Sequence, residues 1–320
     1  NNKYNRALWR DNMATDSIKM MTTTVDSEYL DNFHLLVADQ TGNNSLKFYC
    51  PQIDANAFNY DNLILSLSDA AAHYCLSRRT WDEYKNKPMC LSRMVREKFR
   101  GISSNDGELG ELMLFSFLET DLKAPKIITK MELKTNPNLY FNGADGVHYL
   151  KISDQNYQLI FGESKVYSDL MAGISAALTS IQNFKNKPIK DDASGSPRGI
   201  TFDRGLINAH LLSETFSDEE RAFVKSLIYP KANQPYYVDT AFAVFVLFNV
   251  DIPVEKKKLG NADFRDWIFE HLKSMVNTNI AEIYARITRR KLDGHNFYFY
   301  LVPFENLDST QEMVLEGALQ

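Results

Sequence analysis

The chain has 320 residues and a mass of 36.7 kDa, with 44% hydrophobic and 24% charged residues, enough to bury one large core or two smaller ones. A net charge of −5 excludes a free-standing protein with a broad basic face, so any phosphate contact must come from a local patch or a partner. No apolar run approaches the roughly 18 residues that span a membrane, the N-terminus lacks a signal-peptide core, and Cys50, Cys75 and Cys90 form neither a disulfide framework nor a zinc site; the expectation is a cytoplasmic protein with buried free thiols.

Residues 1–27 are polar and mixed and read as a loosely held arm. Residues 29–39 and 45–50 read as strands separated by the turn Thr41-Gly42-Asn43-Asn44. A helical pattern covers 60–85 and is broken by Pro88, and a second helix covers 90–100. Its cations, Arg93, Arg96, Lys98 and Arg100, either face phosphate or form a solvated face, the commoner fate of such a run.

Residues 103–106 supply capping types, and the helix 108–120 follows with Glu108 and Glu111 on one side. Glu108 suits a first turn through the helix dipole. Glu111 runs into Leu112, Leu114, Phe115 and Leu118, beside a buried seam where an unpaired carboxylate is costly, which makes it the stronger site candidate. Residues 125–139 fit strand or helix equally.

The stretch 140–167 reads as a hairpin turning at Asp154-Gln155-Asn156. Alternation on the second strand sends Glu163 and Lys165 to one face and Ser164 to the other, and pairing of the strands brings Asp145 near Glu163. Two converging carboxylates repel unless one is protonated or a cation neutralises both. A hard divalent cation such as Mg2+ meets that need, and an adjacent lysine can position a water or offset charge on a phosphate. An isolated Glu-x-Lys is usually an ordinary exposed strand feature. Here the preceding run, 157–161, is apolar enough for a central strand, which does not expose charge casually.

A helix then covers 168–184, with Ala172, Gly173, Ala176 and Ala177 permitting close packing. Residues 185–200 are a polar loop, 216–229 a helix, and 238–250 a buried strand. Residues 263–290 read as one long amphipathic helix and 296–302 as a last strand. From residue 107 onward this order describes an α/β core with a mixed sheet flanked by helices.

An acidic helix, a strand with Asp, a strand with Glu-x-Lys and a further helix resemble the PD-(D/E)xK nucleases, the restriction-endonuclease-like core. More narrowly, G-E-L-G-E at 107–111, K-T-N-P-N at 134–138, G-A-D-G-V-H-Y at 143–149 and G-E-S-K at 162–165 resemble the HamA family, the nuclease subunits of Hachiman antiphage defence. The specific motifs cover 105–185 and a weaker likeness reaches residue 302, which divides the chain into an N-terminal region, 1–95, packing on the core, and a nuclease-like domain, 96–320.

The resemblance implies that Asp145 and Glu163 bind Mg2+ (Mn2+ being able to replace it), that Lys165 is the catalytic lysine, and that Glu111 is an added helix acid and metal ligand. Ala144 stands where the pattern often has Pro. His148 falls on the opposite strand face and reads as a core or supporting residue, and Gln182 as a polar helix-end residue rather than a substrate contact. The implied activity is that of a DNA nuclease partnered by a HamB-type helicase. No G-x-x-x-x-G-K-[ST] motif is present, so strand separation must come from the partner. The rival readings are a catalytically inactive nuclease-like scaffold that binds a partner, and a nuclease acting on RNA. The charged trio speaks against the scaffold.

Overall fold

Ala241–Phe248 is apolar at every position, and every one of these residues is buried. A strand without a polar face must lie between two layers, and this one sits at the centre of the sheet. In the computed structural model of the chain, residues 21–99, 107–133, 143–186 and 200–320 are described. They begin with β1 (Phe33–Thr41), β2 (Asn44–Pro51), the short pair β3 (Ile53–Asp54) and β4 (Ala57–Phe58), then α1 (Asp61–Cys75), α2 (Arg78–Tyr84) and α3 (Pro88–Phe99). The middle comprises α4 (Glu108–Thr120), β5 (Lys126–Thr129), α5 (Lys130–Leu133), β6 (Gly146–Ser153), β7 (Asn156–Tyr167) and α6 (Leu170–Asn186). The remainder is α7 (Ile200–Glu214), α8 (Asp218–Ile228), β8 (Tyr237–Asn249), α9 (Asn261–Asn277), α10 (Ile280–Arg289), β9 (Asn296–Phe304) and α11 (Leu307–Leu319).

Seven strands form one sheet in the order β1-β2-β9-β8-β7-β6-β5. Strands β2, β9, β8 and β7 run parallel, while β1 joins β2, β6 joins β7 and β5 joins β6, each in antiparallel fashion. The fold is therefore α/β with a mixed sheet, and residues 33–51, from the region expected to pack on the core, are hydrogen-bonded into the sheet itself. Helices cover both faces. Gly162 of β7 faces Leu114 of α4, whereas its neighbour Phe161 meets Phe184 of α6 at a ring-centroid distance of 5.2 Å; adjacent strand residues point to opposite faces. No helix among the described residues is long and apolar enough to cross a membrane.

Helix α4 is buried along its whole length, as a helix without a polar stripe must be. Phe117 lies within 5.9 Å, ring centroid to ring centroid, of Tyr29, Phe33, Tyr49, Phe245 and Tyr300. Just beyond the helix, Asp121 accepts hydrogen bonds from Lys47 Nζ at 2.6 Å, Tyr49 OH at 3.0 Å and Tyr300 OH at 2.7 Å. These bonds tie the end of α4 to β2 and β9.

Several expectations are corrected. The helix expected over 60–85 is two, α1 and α2, because Ser77 leaves the helical region and caps α2 through Thr80 N–H. Pro88 does not merely break a helix. It opens α3, where its missing N–H has no cost. The helix expected over 263–290 is also two: Thr278 Oγ1 bonds back to Ser274 O and Asn279 Nδ2 to Met275 O, closing α9 before α10 begins. The ambiguous segment 125–139 contains β5 and α5. Helices α7 and α11 were not foreseen. Cys50 and Cys75 are buried as expected, but Cys90 is exposed. On α3, Arg93 pairs with Glu97 at 2.8 Å and Lys98 donates to Glu132 O at 2.8 Å. The caps expected at 103–106, Arg100, the 134–138 motif, and most of the expected arm (1–27) and loop (185–200) lie outside the described residues.

Helix α6 is seated on the sheet through Gly173, where an added Cβ would stand 2.7 Å from Val246 Cγ1 and 3.3 Å from Tyr167 Cβ. Gly173→Ala should therefore destabilise the protein by about 1–3 kcal/mol, the usual cost of overpacking. Urea denaturation measures this, and an unchanged midpoint would contradict such close packing.

Candidate active site

The site is assembled from the β6–β7 hairpin outward. Gly146 pairs with Gly162 in register, and one residue earlier Asp145 N–H donates to Gly162 O at 2.8 Å. The glycine at 162 leaves room for Leu114, whose Cδ2 lies 2.9 Å from where a Cβ would be. Three residues before Leu114, on the same side of α4, stands Glu111. Asp145 Oδ2 accepts from Ser164 N at 2.7 Å and from Ser164 Oγ at 3.1 Å, which fixes the carboxylate at the end of the hairpin.

Two ammonium groups serve the three acids. Lys130, at the junction of β5 and α5, donates to Glu111 Oε1 at 2.8 Å and to Asp145 Oδ1 at 3.2 Å. Lys165 donates to Glu163 Oε1 at 2.6 Å. Glu163 also bonds Ser180 of α6, and Tyr74 of α1 donates to Glu111 Oε2 at 2.8 Å. Asp145 is thus the shared member: Glu111 and Lys130 lie on the α4 side, with Glu163 and Lys165 toward α6. Glu108 is buried in the same turn as Glu111, but Glu111 is the helix acid bonded to Lys130.

Burial, and then the charge of Asp145, raise both Glu111 and Glu163 from the ordinary carboxylate value to about 7. Burial alone would lower Lys130 and Lys165. Asp145 and Glu111 outweigh it at Lys130, and Glu163 outweighs it at Lys165, so both stay above the ordinary lysine value. Three carboxylates face two ammoniums, leaving an excess negative charge near neutrality that a proton or an added cation must offset.

Glu111, Asp145 and Glu163 are oxygen donors, and their surplus charge fits a hard divalent ion in type and sign. Among the described residues no three His, Cys, Asp or Glu side chains converge as a preformed cage; between Glu111 and Asp145 stands the Lys130 ammonium. Beneath the cluster, Tyr74, Glu111, Thr129, Asp145, His148 and Gly162 enclose a cavity of about 10 Å³, room for no more than one water. Lys130 and Lys165 are the partly exposed members of the cluster, at 33% and 25%.

His148 is buried, its Nδ1 lies 2.8 Å from Ala124 O, and burial lowers it to about 4, so it is a neutral core residue. Gln182 Nε2 donates to Arg290 O at 3.1 Å and bridges two segments of the fold. Sequence reasoning missed Lys130 and Tyr74. The first lies where helix and strand were indistinguishable, so its facing could not be assigned; the second is a helix aromatic that looks like any core residue. A second buried cluster was also missed: Lys126 Nζ lies 3.0 Å from Glu132 Oε2 and 3.9 Å from Glu214 Oε2.

The molecule is thus an α/β protein whose mixed sheet presents a half-buried carboxylate–ammonium cluster at the end of a hairpin. The HamA family model matches residues 27–318, from the turn before β1 to the end of α11, and the chain belongs to the HamA family. No match was found among curated proteins.

A carboxyl whose value is raised by folding holds a proton that the unfolded chain has already released. Glu111 and Glu163 should therefore make the metal-free protein lose stability as pH rises from about 4.5 to about 7. Thermal melts in EDTA across this range should show the decline, and Glu163→Gln should reduce it. An equal slope in both proteins would contradict the assignment.

Proposed function

We propose that this chain is a metal-dependent DNA nuclease of the PD-(D/E)xK type and the effector subunit of a Hachiman antiphage complex, acting in the cytoplasm with a HamB-type helicase. The observation that carries the reading is Asp145 at the hairpin end, bridged to Glu111 by Lys130 on one side and close enough for its charge to act on the Glu163–Lys165 pair on the other. Membership of the HamA family supports the Hachiman assignment. The helix–hairpin–helix order around a mixed sheet supports the fold type.

In this reading Asp145 and Glu163, with Glu111, hold Mg2+ or Mn2+. When bound, the metal supplies Lewis-acid polarisation of the phosphodiester and activation of a water. Ser164 keeps Asp145 oriented through its two hydrogen bonds. Lys165, released from Glu163, offsets charge on the phosphate or positions the attacking water. Tyr74 keeps Glu111 turned toward the site. The inactive-scaffold reading is disfavoured because the repulsion of Asp145 with both Glu111 and Glu163 costs stability and a scaffold has no use for it.

Glu163→Gln and Lys165→Met should each reduce Mg2+-dependent cleavage by about 10²-fold or more, as loss of an electrostatic stabiliser does, with cooperative folding retained. Plasmid, linear DNA and RNA assayed together identify the substrate. Cleavage at the wild-type rate by either variant would contradict the site, and cleavage of RNA alone would replace DNA as the substrate.

The acidic net charge disfavours unaided DNA capture, which motivates the partner. Co-expression with the neighbouring helicase should yield a stable complex that cleaves little until ATP and DNA are supplied. A chain that never associates, or a complex that cuts freely without ATP, would contradict the partnership.

A further inference from the structure

The ammonium of Lys130 lies between two carboxylates from different elements, 2.8 Å from Glu111 Oε1 and 3.2 Å from Asp145 Oδ1. We infer that Lys130 is a tethered competitor for the metal, a positioning residue that holds Glu111 and Asp145 together without a cation and must swing away for one to bind. The inference rests on the reading of these two acids as metal ligands.

Four features support it. First, its backbone is fixed. Lys130 N–H donates to Asp145 O at 2.9 Å. Glu132, two residues on, accepts Lys126 Nζ on its carboxylate at 3.0 Å and Lys98 Nζ on its carbonyl at 2.8 Å. Displacement therefore falls to the flexible side chain, and the ammonium stays within reach as an intramolecular competitor at high effective concentration. Second, Lys130 has somewhere to go: its side chain is 33% exposed, while Glu111 is buried. Third, Glu111 does not depend on Lys130 for its orientation, since its other oxygen is held by Tyr74 OH at 2.8 Å. Fourth, Lys165 is engaged elsewhere, donating to Glu163 on the α6 side at 2.6 Å.

One ammonium between the buried Glu111 and the half-buried Asp145 lowers the repulsion that would otherwise open the site, so the protein can fold before metal arrives. The same ammonium makes the metal displace a bonded cation rather than enter a free gap. Lys130 thereby sets a metal affinity weaker than the donor set alone would give.

The test is calorimetric titration of Mn2+ and Mg2+ into the full chain, as wild type and as Lys130→Met, which keeps the stem and removes the charge. Lys130→Gln serves as a second variant, and melting is followed in EDTA and in Mg2+. The variants should bind metal at least about 10-fold more tightly, melt lower than wild type in EDTA, and gain more from Mg2+. If wild type binds and both variants bind equally or more weakly, the inference falls while the metal-dependent reading stands. If no protein binds a divalent ion, both fall. Failure of both variants to fold even with metal would overturn the inference, because a metal could not then take the ammonium's place.

Discussion

The constraint on which this structure turns is the placing of two buried acids, Glu111 and Glu163, each close enough to the half-buried Asp145 to feel its charge. Like charges out of water repel strongly, so the surrounding chain must supply cations and hydrogen-bond donors from many directions. It does so from four elements: Tyr74 from α1, Lys130 from the start of α5, Ser164 and Lys165 from β7, and Ser180 from α6. Only β7 and α6 are consecutive in the chain, so the donors meet through the tertiary fold rather than through local sequence.

Helix α4 shows how the fold meets this demand. It is buried throughout, yet its polar groups are answered. Glu111 is held near its start, Glu119 accepts Lys126 N–H at 2.6 Å and both donors of Thr24, and Asp121 beyond its end collects Lys47, Tyr49 and Tyr300. Apolar packing around Phe117 supplies the driving force, and the carboxylates fix the helix along its axis. The position of Glu111 is then set by contacts at both ends of α4. Changes near Asp121, far along the helix from Glu111, should be felt at the site.

Much of this was legible in the sequence, for physical reasons. The apolar run ending at Val250 could only be a buried strand. The alternation Glu163-Ser164-Lys165 fixed which side chains share a face, and a short polar turn fixed the hairpin that carries Asp145. What was not legible depended on tertiary context. Lys130 follows a four-residue strand and begins a one-turn helix, too short for either period to show. Helix α11 buries Gln311 within its apolar stripe, which blurs the pattern. Helices α1 and α2, like α9 and α10, share continuous helical propensity and are separated only by side chains that bond back to the backbone. The family resemblance rested on short motifs, three of which, at 107–111, 143–149 and 162–165, carry the site acids, and the family match extends well beyond them, to residues 27–318.

The central claim is that these three carboxylates are a divalent-cation site. Anomalous diffraction from crystals of the chain soaked in Mn2+ tests it most directly. The account predicts a peak within coordinating distance of Asp145 and Glu163, with the Lys130 ammonium moved off Glu111. A peak elsewhere, or none at Mn2+ concentrations that support cleavage, would contradict it.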